Sequence, residues 1–467
     1  MAPIVPWAAR PLMNPLRFAA VFVLSGLAAA VFGQETPAGP AAEPPQARQG
    51  KVALEGRALR DDGGVFNGLG VSYFQALRRV KTDRERFLSD VRFLASCGFQ
   101  YMRVLTMVGH HRVWKDREIA PAAFKNREGE IVEAWPDYWE QLAAMIDLAY
   151  EAGLRTQLTV FADAQGIMPD KAARREHLRR VIEVTKGREH KVILIEIGNE
   201  AWQNGFPGKE GIAELRALGR QAKEQTDILI ALSAPDGQTN EALLELYEGS
   251  GADIATEHFS RDIRAEGGWQ PVRDVFRVNS APALPPVSSN EPIGPGASVA
   301  SENDPLRLAC AGAYAWMSGL PMYVFHCHAG VTGEDAFEDT PGLRTASQPL
   351  RLLPGGIGNW PRGEGKENTA PFTLFAHGVP DAWRTDAPQA RSGVIRLLFC
   401  AKDNDFYALP VGLGPEGAVL EARRAMDVEV LHPLTGARLT RIALRGGERL
   451  TLPPDPPACL IRGKWVR

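Results

Sequence analysis

From residue 68 onward the chain alternates short, continuous apolar runs with longer amphipathic stretches. The runs cover 68–77, 101–108, 155–162, 192–197, 228–233, 253–260, 286–291 and 321–328, and the clearest of them, VILIEI at 192–197, is apolar at all but one position rather than at every second one. Such runs read as strands of a parallel sheet covered on both faces. Between them, apolar residues recur at helical spacing. Phe87, Val91 and Leu94 follow a capping box from Thr82 to Glu85 and stop at Gly98, while Leu142, Met145, Ile146 and Ala149 stop at Gly153. Further helices are predicted around Leu178, Val181 and Ile182, and over 211–225, 240–247 and 269–278. Another is predicted from Asp304 as cap and Pro305 in the first turn to Gly319. Each strand-plus-helix unit takes roughly 30 to 50 residues, the size of a βαβ repeat. Eight such units close most simply into a (β/α)8 TIM barrel, an α/β fold.

The flanks follow other patterns. Residues 52–67 alternate around the turn Asp61-Asp62-Gly63-Gly64 and predict a hairpin capping the bottom of the barrel. Residues 331–390 are rich in Pro and Gly with one helical patch at 343–353, which reads as the last barrel helix and a linker. After Arg391 the period changes to two. Short runs at 394–400, 406–411, 426–431, 438–444 and 450–452, separated by turn residues, predict a small antiparallel β-sandwich. The expected division is a barrel over 51–385 and a sandwich over 391–467.

The first 33 residues differ in kind. Arg10 and Arg17 precede an uncharged stretch of 15 residues, 18–32, with Val31 and Gly33 at the minus-three and minus-one positions of a cleavage site. This is the pattern of a secretory signal peptide, with Met13 as an alternative start, and it is short for a spanning helix, which needs ~20 residues. Residues 34–50, rich in Pro, Ala and Gln, read as a disordered spacer. The expected location is therefore secreted or periplasmic, with no membrane association beyond the export signal. A net charge of −3 supplies no basic surface for phosphates, so nucleic acid is not an expected partner. The five cysteines, Cys97, Cys310, Cys327, Cys400 and Cys459, show no CxxC spacing, which argues against a zinc or redox motif. A Cys400–Cys459 disulfide is the one pairing an exported chain of this kind invites.

Chemistry on such a barrel sits at the carboxyl ends of the strands. The fourth run ends in Gly198, Asn199 and Glu200, with Trp202 beyond it, and the seventh ends in Glu291 followed at once by Pro292, which turns the chain and exposes the carboxylate. Alternation puts Glu196 on the same side as Glu200 and one layer deeper, where a carboxylate needs a cation. Arg103 on the second strand is the nearest candidate for Glu196, for Glu291, or for both. His258 ends the sixth strand. On the eighth, alternation sends His326 and His328 to one side. A metal there would need a third ligand, and none stands at a recognisable spacing, so neither metal nor cofactor is expected. Trp114, Trp202 and Trp269 are candidate stacking platforms, and Trp316, on an apolar helix face, is a core residue.

The EIGNE of 196–200, the RDDGGVFNGLG of 60–70, the GFQYMRV of 98–104 and the glutamate ending the seventh strand together resemble the cellulase-like retaining glycoside hydrolases of clan A, over roughly residues 51 to 330. The resemblance implies a general acid/base at Glu200, a nucleophile at Glu291, a contact from Asn199 to the sugar 2-hydroxyl, and support of the nucleophile by Arg103. It implies an enzyme cleaving β-linked oligo- or polysaccharides, which the leader makes an exported one, and on such an enzyme His258, Trp202, His326 and His328 read as further sugar contacts. Two positions depart from the family. A tyrosine that hydrogen-bonds the nucleophile is replaced by Ser260, which leaves Tyr73 as a substitute, and the usual tryptophan on the eighth strand is absent. Those departures motivate the alternative of a non-catalytic carbohydrate-binding protein on a degenerate barrel.

Overall fold

The structure is a computed structural model that describes residues 46–237, 239–259, 261, 269–275, 283–296, 301–363, 372–376, 398–413 and 417–465. The export signal, most of the spacer, Ser260 and the expected junction at 385–391 lie outside the described residues. Residues 44–467 form one unit. Its centre is an eight-stranded, all-parallel sheet made of β1 (Gly68–Ser72), β2 (Tyr101–Leu105), β3 (Arg155–Phe161), β4 (Val192–Gly198), β5 (Ile230–Ala231), β6 (Ala255–Glu257), β7 (Val287–Ser289) and β8 (Met322–Phe325). The order is β5-β4-β3-β2-β1-β8-β7-β6, the sequential neighbour order of a TIM barrel. Every residue of β1 to β4 is buried, as runs apolar on both faces require.

The ladder is open between β5 and β6. There Asp253 N donates to Ile230 O at 2.9 Å, and the hydroxyl of Tyr247, at the end of the helix Asn240–Tyr247, reaches the edges of both strands. It accepts from the backbone N–H groups of Leu232 (3.1 Å), Ser233 (3.0 Å) and Thr256 (3.1 Å) and donates to Ser233 O (2.8 Å). One side chain thus does part of the work of a strand ladder.

At the amino-terminal end of the barrel the chain forms three short antiparallel strands, Ala53–Glu55, Ala58–Asp61 and Gly64–Phe66. Leu59 and Phe66 pack on Tyr101, Leu194, Met322 and Val324 inside the barrel. Buried Asp61 bridges Arg48 (2.6 Å) and Arg155 (2.8 Å), which makes this meander the plug of the barrel floor. The helices Tyr138–Glu151, Lys171–Thr185, Gly208–Lys223, Asn240–Tyr247 and Pro305–Met317 follow the predicted pattern. Of the helix predicted over 269–278 the described part is Gln270–Asp274, with 276–278 outside the described residues, and the patch at 343–353 is a single turn, Leu343–Thr345, and a short helix, Gln348–Leu352. The cap of the first long helix, Arg84–Ser96, is Asp83 rather than Thr82: Asp83 accepts from Arg86 N at 3.1 Å, whereas the Thr82 hydroxyl bonds back to Arg78 O in the preceding helical turn.

The carboxyl-terminal region is a two-sheet antiparallel sandwich, and it begins earlier than expected. Arg362–Gly363 pairs with Phe399–Lys402, and Phe372–Ala376 pairs with Ala418–Ala422, so segments assigned to the linker already belong to the two sheets. Phe372 of one sheet meets Phe406 of the other with ring centroids 5.7 Å apart. All five cysteines are buried free thiols. The Cys400–Cys459 disulfide does not form: Cys400 Sγ lies 3.3 Å from Met317 O of the barrel, and burial pushes both thiols up to about 12.

Candidate active site

Glu200 and Glu291 meet at the carboxyl-terminal mouth of the barrel. The end of β4 is clamped from both sides, Gly198 N donating to Leu232 O (2.7 Å) and Asn199 N to Phe161 O (2.9 Å). Glu200 then turns out of the sheet at φ +36°, a conformation costly for a residue with a Cβ and one that concentrates at functional sites. Glu291 follows β7 with Asn290 between them. Its loop leans on the end of β8, where Gly294 is the residue that permits the approach, since a Cβ there would fall 1.5 Å from His326 O.

The two carboxylates and His258 bring ligand atoms within 4.8 Å of one another, the only such trio among the described residues. His258 stands between them, with Nδ1 at 3.2 Å from Glu200 and Nε2 at 3.6 Å from Glu291. Gln203 also donates to Glu200. The trio has the donor set of a metal site, but two guanidiniums beside Glu291 repel a cation there.

Arg103 answers the question left open by its position: it serves both carboxylates. Fully buried, it reaches Glu196 through Nε (3.1 Å) and Nη2 (3.0 Å), Glu291 through Nη1 (2.8 Å) and Asn199 Oδ1 through Nη2 (2.7 Å). Burial works against its charge and is outweighed by the two glutamates. Glu196 is completed by Thr159 (2.7 Å) and Asn290 (2.6 Å), so every charge in this buried triad is paired and hydrogen-bonded.

Glu291 receives a second cation that the sequence did not suggest. Arg261 Nη1 lies 3.4 Å from the carboxylate oxygen that Arg103 leaves open. Burial alone would raise the Glu291 carboxyl, but His258, His326, Arg103 and Arg261 together hold it well below the usual carboxylate range. Burial draws His326 down to about 3, so at neutral pH that ring is uncharged. Its Nδ1 is 2.8 Å from Ser72 Oγ and its Nε2 3.9 Å from Glu291.

Not every predicted residue joins this group. Tyr73 turns away from Glu291, with its hydroxyl on Asp90 at 2.6 Å among Phe87 and Phe337. It takes no part in holding Glu291. His328 opens a short helix, His328–Thr332, instead of continuing β8, so it loses the alternation with His326 and faces Asp335 at 3.7 Å. The cleft, about 250 Å³, is lined by Phe74, His111, Val113, Trp114, Asp163, Asn199, Glu200, Glu291 and His326 among others. Trp114 is thus at the cleft, Trp202 is not among its lining, and Trp269 is buried under Arg307. Asp163 went unnoticed in the sequence. Burial raises its carboxyl, and it accepts from Gly109 N (2.9 Å) and His110 N (3.1 Å), fixing the loop that carries His111 and Trp114.

No protein-family model matches the chain, and none of the curated proteins matches it. Solved structures share the fold. A glycoside hydrolase family 5 protein from Bacteroides vulgatus is similar at 12% identity and a TM-score of 0.62, over 89% of this chain and 93% of the other. A second structure, described as a glycoside hydrolase, is similar at 12% identity and a TM-score of 0.61, over 89% and 97%. Coverage of that extent takes in barrel and sandwich together, and the arrangement of the two is therefore a shared architecture.

Proposed function

We propose that this chain is an exported retaining glycoside hydrolase that cleaves β-linked glycans with Glu291 as nucleophile and Glu200 as general acid and then base. The observation that carries the reading is the separation of the two carboxylates, whose oxygens lie within 4.8 Å at the ends of β4 and β7. Retention calls for carboxyl groups ~5 Å apart, whereas inversion needs room for a water between them, at ~6.5 Å or more. The environments also differ in the required sense. A nucleophile must be ionised, and Glu291 sits against two guanidiniums. Among the described residues no guanidinium pairs with Glu200, and its side chain is 17% exposed at the mouth, where a leaving oxygen would be protonated. Asn199, its carbonyl oxygen held by Arg103, can offer its amide N–H to a sugar hydroxyl in the cleft. The two similar structures are described as glycoside hydrolases, which agrees with this chemistry.

The test separates the two roles. Glu291→Gln should lose nearly all turnover on every substrate. Glu200→Ala should still form the glycosyl-enzyme from an activated aryl glycoside, stall there, and recover when azide is added, giving a β-glycosyl azide. The contrast between good and poor leaving groups should be ~10²- to 10⁴-fold, the usual worth of general acid/base help. Substantial turnover by Glu291→Gln, or an inverted first product by NMR, would falsify the mechanism. Export rests on the charge and apolar pattern of the first 33 residues, and amino-terminal sequencing of exported material that still starts at Met1 or Met13 would count against it.

A further inference from the structure

Beside the cleft, on the same face of the barrel, lies a second cavity of about 320 Å³. The two share a wall: Phe74, Trp114 and Val331 line the cleft, and the residue after each of them, Gln75, Lys115 and Thr332, lines the second cavity. Four cations surround it, Arg78, Arg79, Lys115 and Arg117, against the carboxylates Asp116 and Glu334, in a chain whose net charge is negative. Three of the cations are paired: Arg117 with Glu334, Arg79 with Asp83 at 3.6 Å, and Lys115 with Glu130 at 3.5 Å. Arg78 has no ion pair among the described residues. Its guanidinium is half-buried, and burial together with the charges of Arg79 and Arg117 lowers its pKa.

An independent observation points the same way. Gln75 is 1% exposed, and neither its Nε2 nor its Oε1 has a hydrogen-bond partner among the described residues. Native structures leave few buried amides in that state, and a polar group filling the adjoining cavity would meet a donor and an acceptor together. A planar guanidinium beside an amide is suited to an oxyanion that carries hydroxyl groups next to it.

We infer that this cavity is a subsite for an oxyanion carried by the glycan, a uronic acid carboxylate or a sulfate ester, with Arg78 as its principal ligand. The identity of the carrier rests on the glycosidase reading, because the shared wall sets the cavity beside the cleft that would hold the glycan; the affinity for an anion does not. The experiment measures binding of matched neutral, uronate-bearing and sulfated oligosaccharides, and of sodium sulfate, to wild type, Arg78→Gln and Arg78→Lys. Hydrolysis of a short aryl glycoside is followed alongside. The wild type should bind one of the acidic oligosaccharides about tenfold or more tighter than the neutral one at low salt, and the advantage should shrink as salt is added. Which acidic oligosaccharide gains identifies the oxyanion. Arg78→Gln should abolish the advantage, Arg78→Lys should keep part of it, and aryl glycoside turnover should be unchanged in both. Equal affinity for acidic and neutral oligosaccharides, or an advantage that survives Arg78→Gln, overturns the proposal. If no glycan is bound or cleaved at all, the glycosidase reading fails on its own. Sodium sulfate then decides the cavity: binding to wild type that is lost in Arg78→Gln supports the anion site, and no binding refutes it.

Discussion

Glu291 carries one cation on each oxygen, and the two differ in what their loss would do. Arg103 is also the partner of Glu196 and Asn199, so removing it strands a second buried carboxylate and endangers the fold. Arg261 approaches from the rim at 3.4 Å with 12% of its side chain exposed, which makes it the better probe of Glu291's ionisation. The Glu291 carboxyl is held below its ordinary range, so it stays ionised to lower pH than an ordinary carboxyl does. Taking away a cation moves that carboxyl's protonation upward. Arg261→Gln should therefore shift the acidic limb of kcat/KM upward by roughly 1 pH unit, while Arg261→Lys should restore most of the shift. A pH profile that falls uniformly without moving its limb would assign Arg261 a packing role only. Glu200, Glu291, Arg103 and Asn199 were legible in the sequence because each sits at, or alternates from, the end of a predicted strand. Arg261 was not: β6 stops at Glu257, and alternation gives no direction to a side chain beyond the last paired residue. The same limit misplaced Tyr73 and His328, which follow the last residues of β1 and β8.

Single strands and helices were readable because periodicity is a local property, whereas the seam between β5 and β6 is not local. Strands as short as β5 and β6 hold too few residues for their apolar pattern to show which neighbour they take, and β5 pairs with β4 through only Ile230 and Ala231. Beside the backbone bonds to Ile230 O, what bridges the seam is a tyrosine on the helix Asn240–Tyr247, whose hydroxyl meets three backbone N–H groups. Nothing in the apolar spacing of that helix distinguishes Tyr247 from an ordinary core aromatic. Tyr247→Phe keeps the ring and removes the oxygen, leaving buried donors at Leu232, Ser233 and Thr256 without it. Each stranded donor costs about 1–3 kcal/mol, so the variant should lose several kcal/mol, less whatever relaxation recovers. Hydrogen exchange should localise the loss, with the amides of Leu232, Ser233 and Thr256 exchanging faster while those of β2 and β3 keep their protection. Uniform protection across the barrel in Tyr247→Phe would mean that the backbone bonds near Ile230 close the seam unaided.

At the scale of the whole molecule, the barrel was legible as eight repeating units, but the extent of the sandwich was not. Strand pairing there is non-local: Phe372–Ala376 finds its partner at Ala418–Ala422, and Arg362–Gly363 is too short to show a period among its Pro and Gly neighbours. The consequence bears on how the two parts can be separated. A cut at 391, where the sequence suggested a junction, leaves both of those strands on the barrel without partners, with Phe372 and Leu374 stripped of the sandwich core. Losing burial of two large apolar side chains costs about 1.5–3 kcal/mol each, and open strand edges favour association with other chains. A cut after 360 removes the orphan strands as well, at the cost of uncovering Trp360, which packs on Tyr407, and the Met317 carbonyl beneath Cys400. Both truncations should melt below the full chain, by about 5 °C or more, and the cut at 391 should be the more prone to aggregate. The cleft draws all its lining from the barrel, so the fraction that stays folded should keep its activity towards a short aryl glycoside. A truncation at 391 that melts with the full-length protein, or one that folds with no chemistry left, would show that the sandwich does something other than cover the barrel.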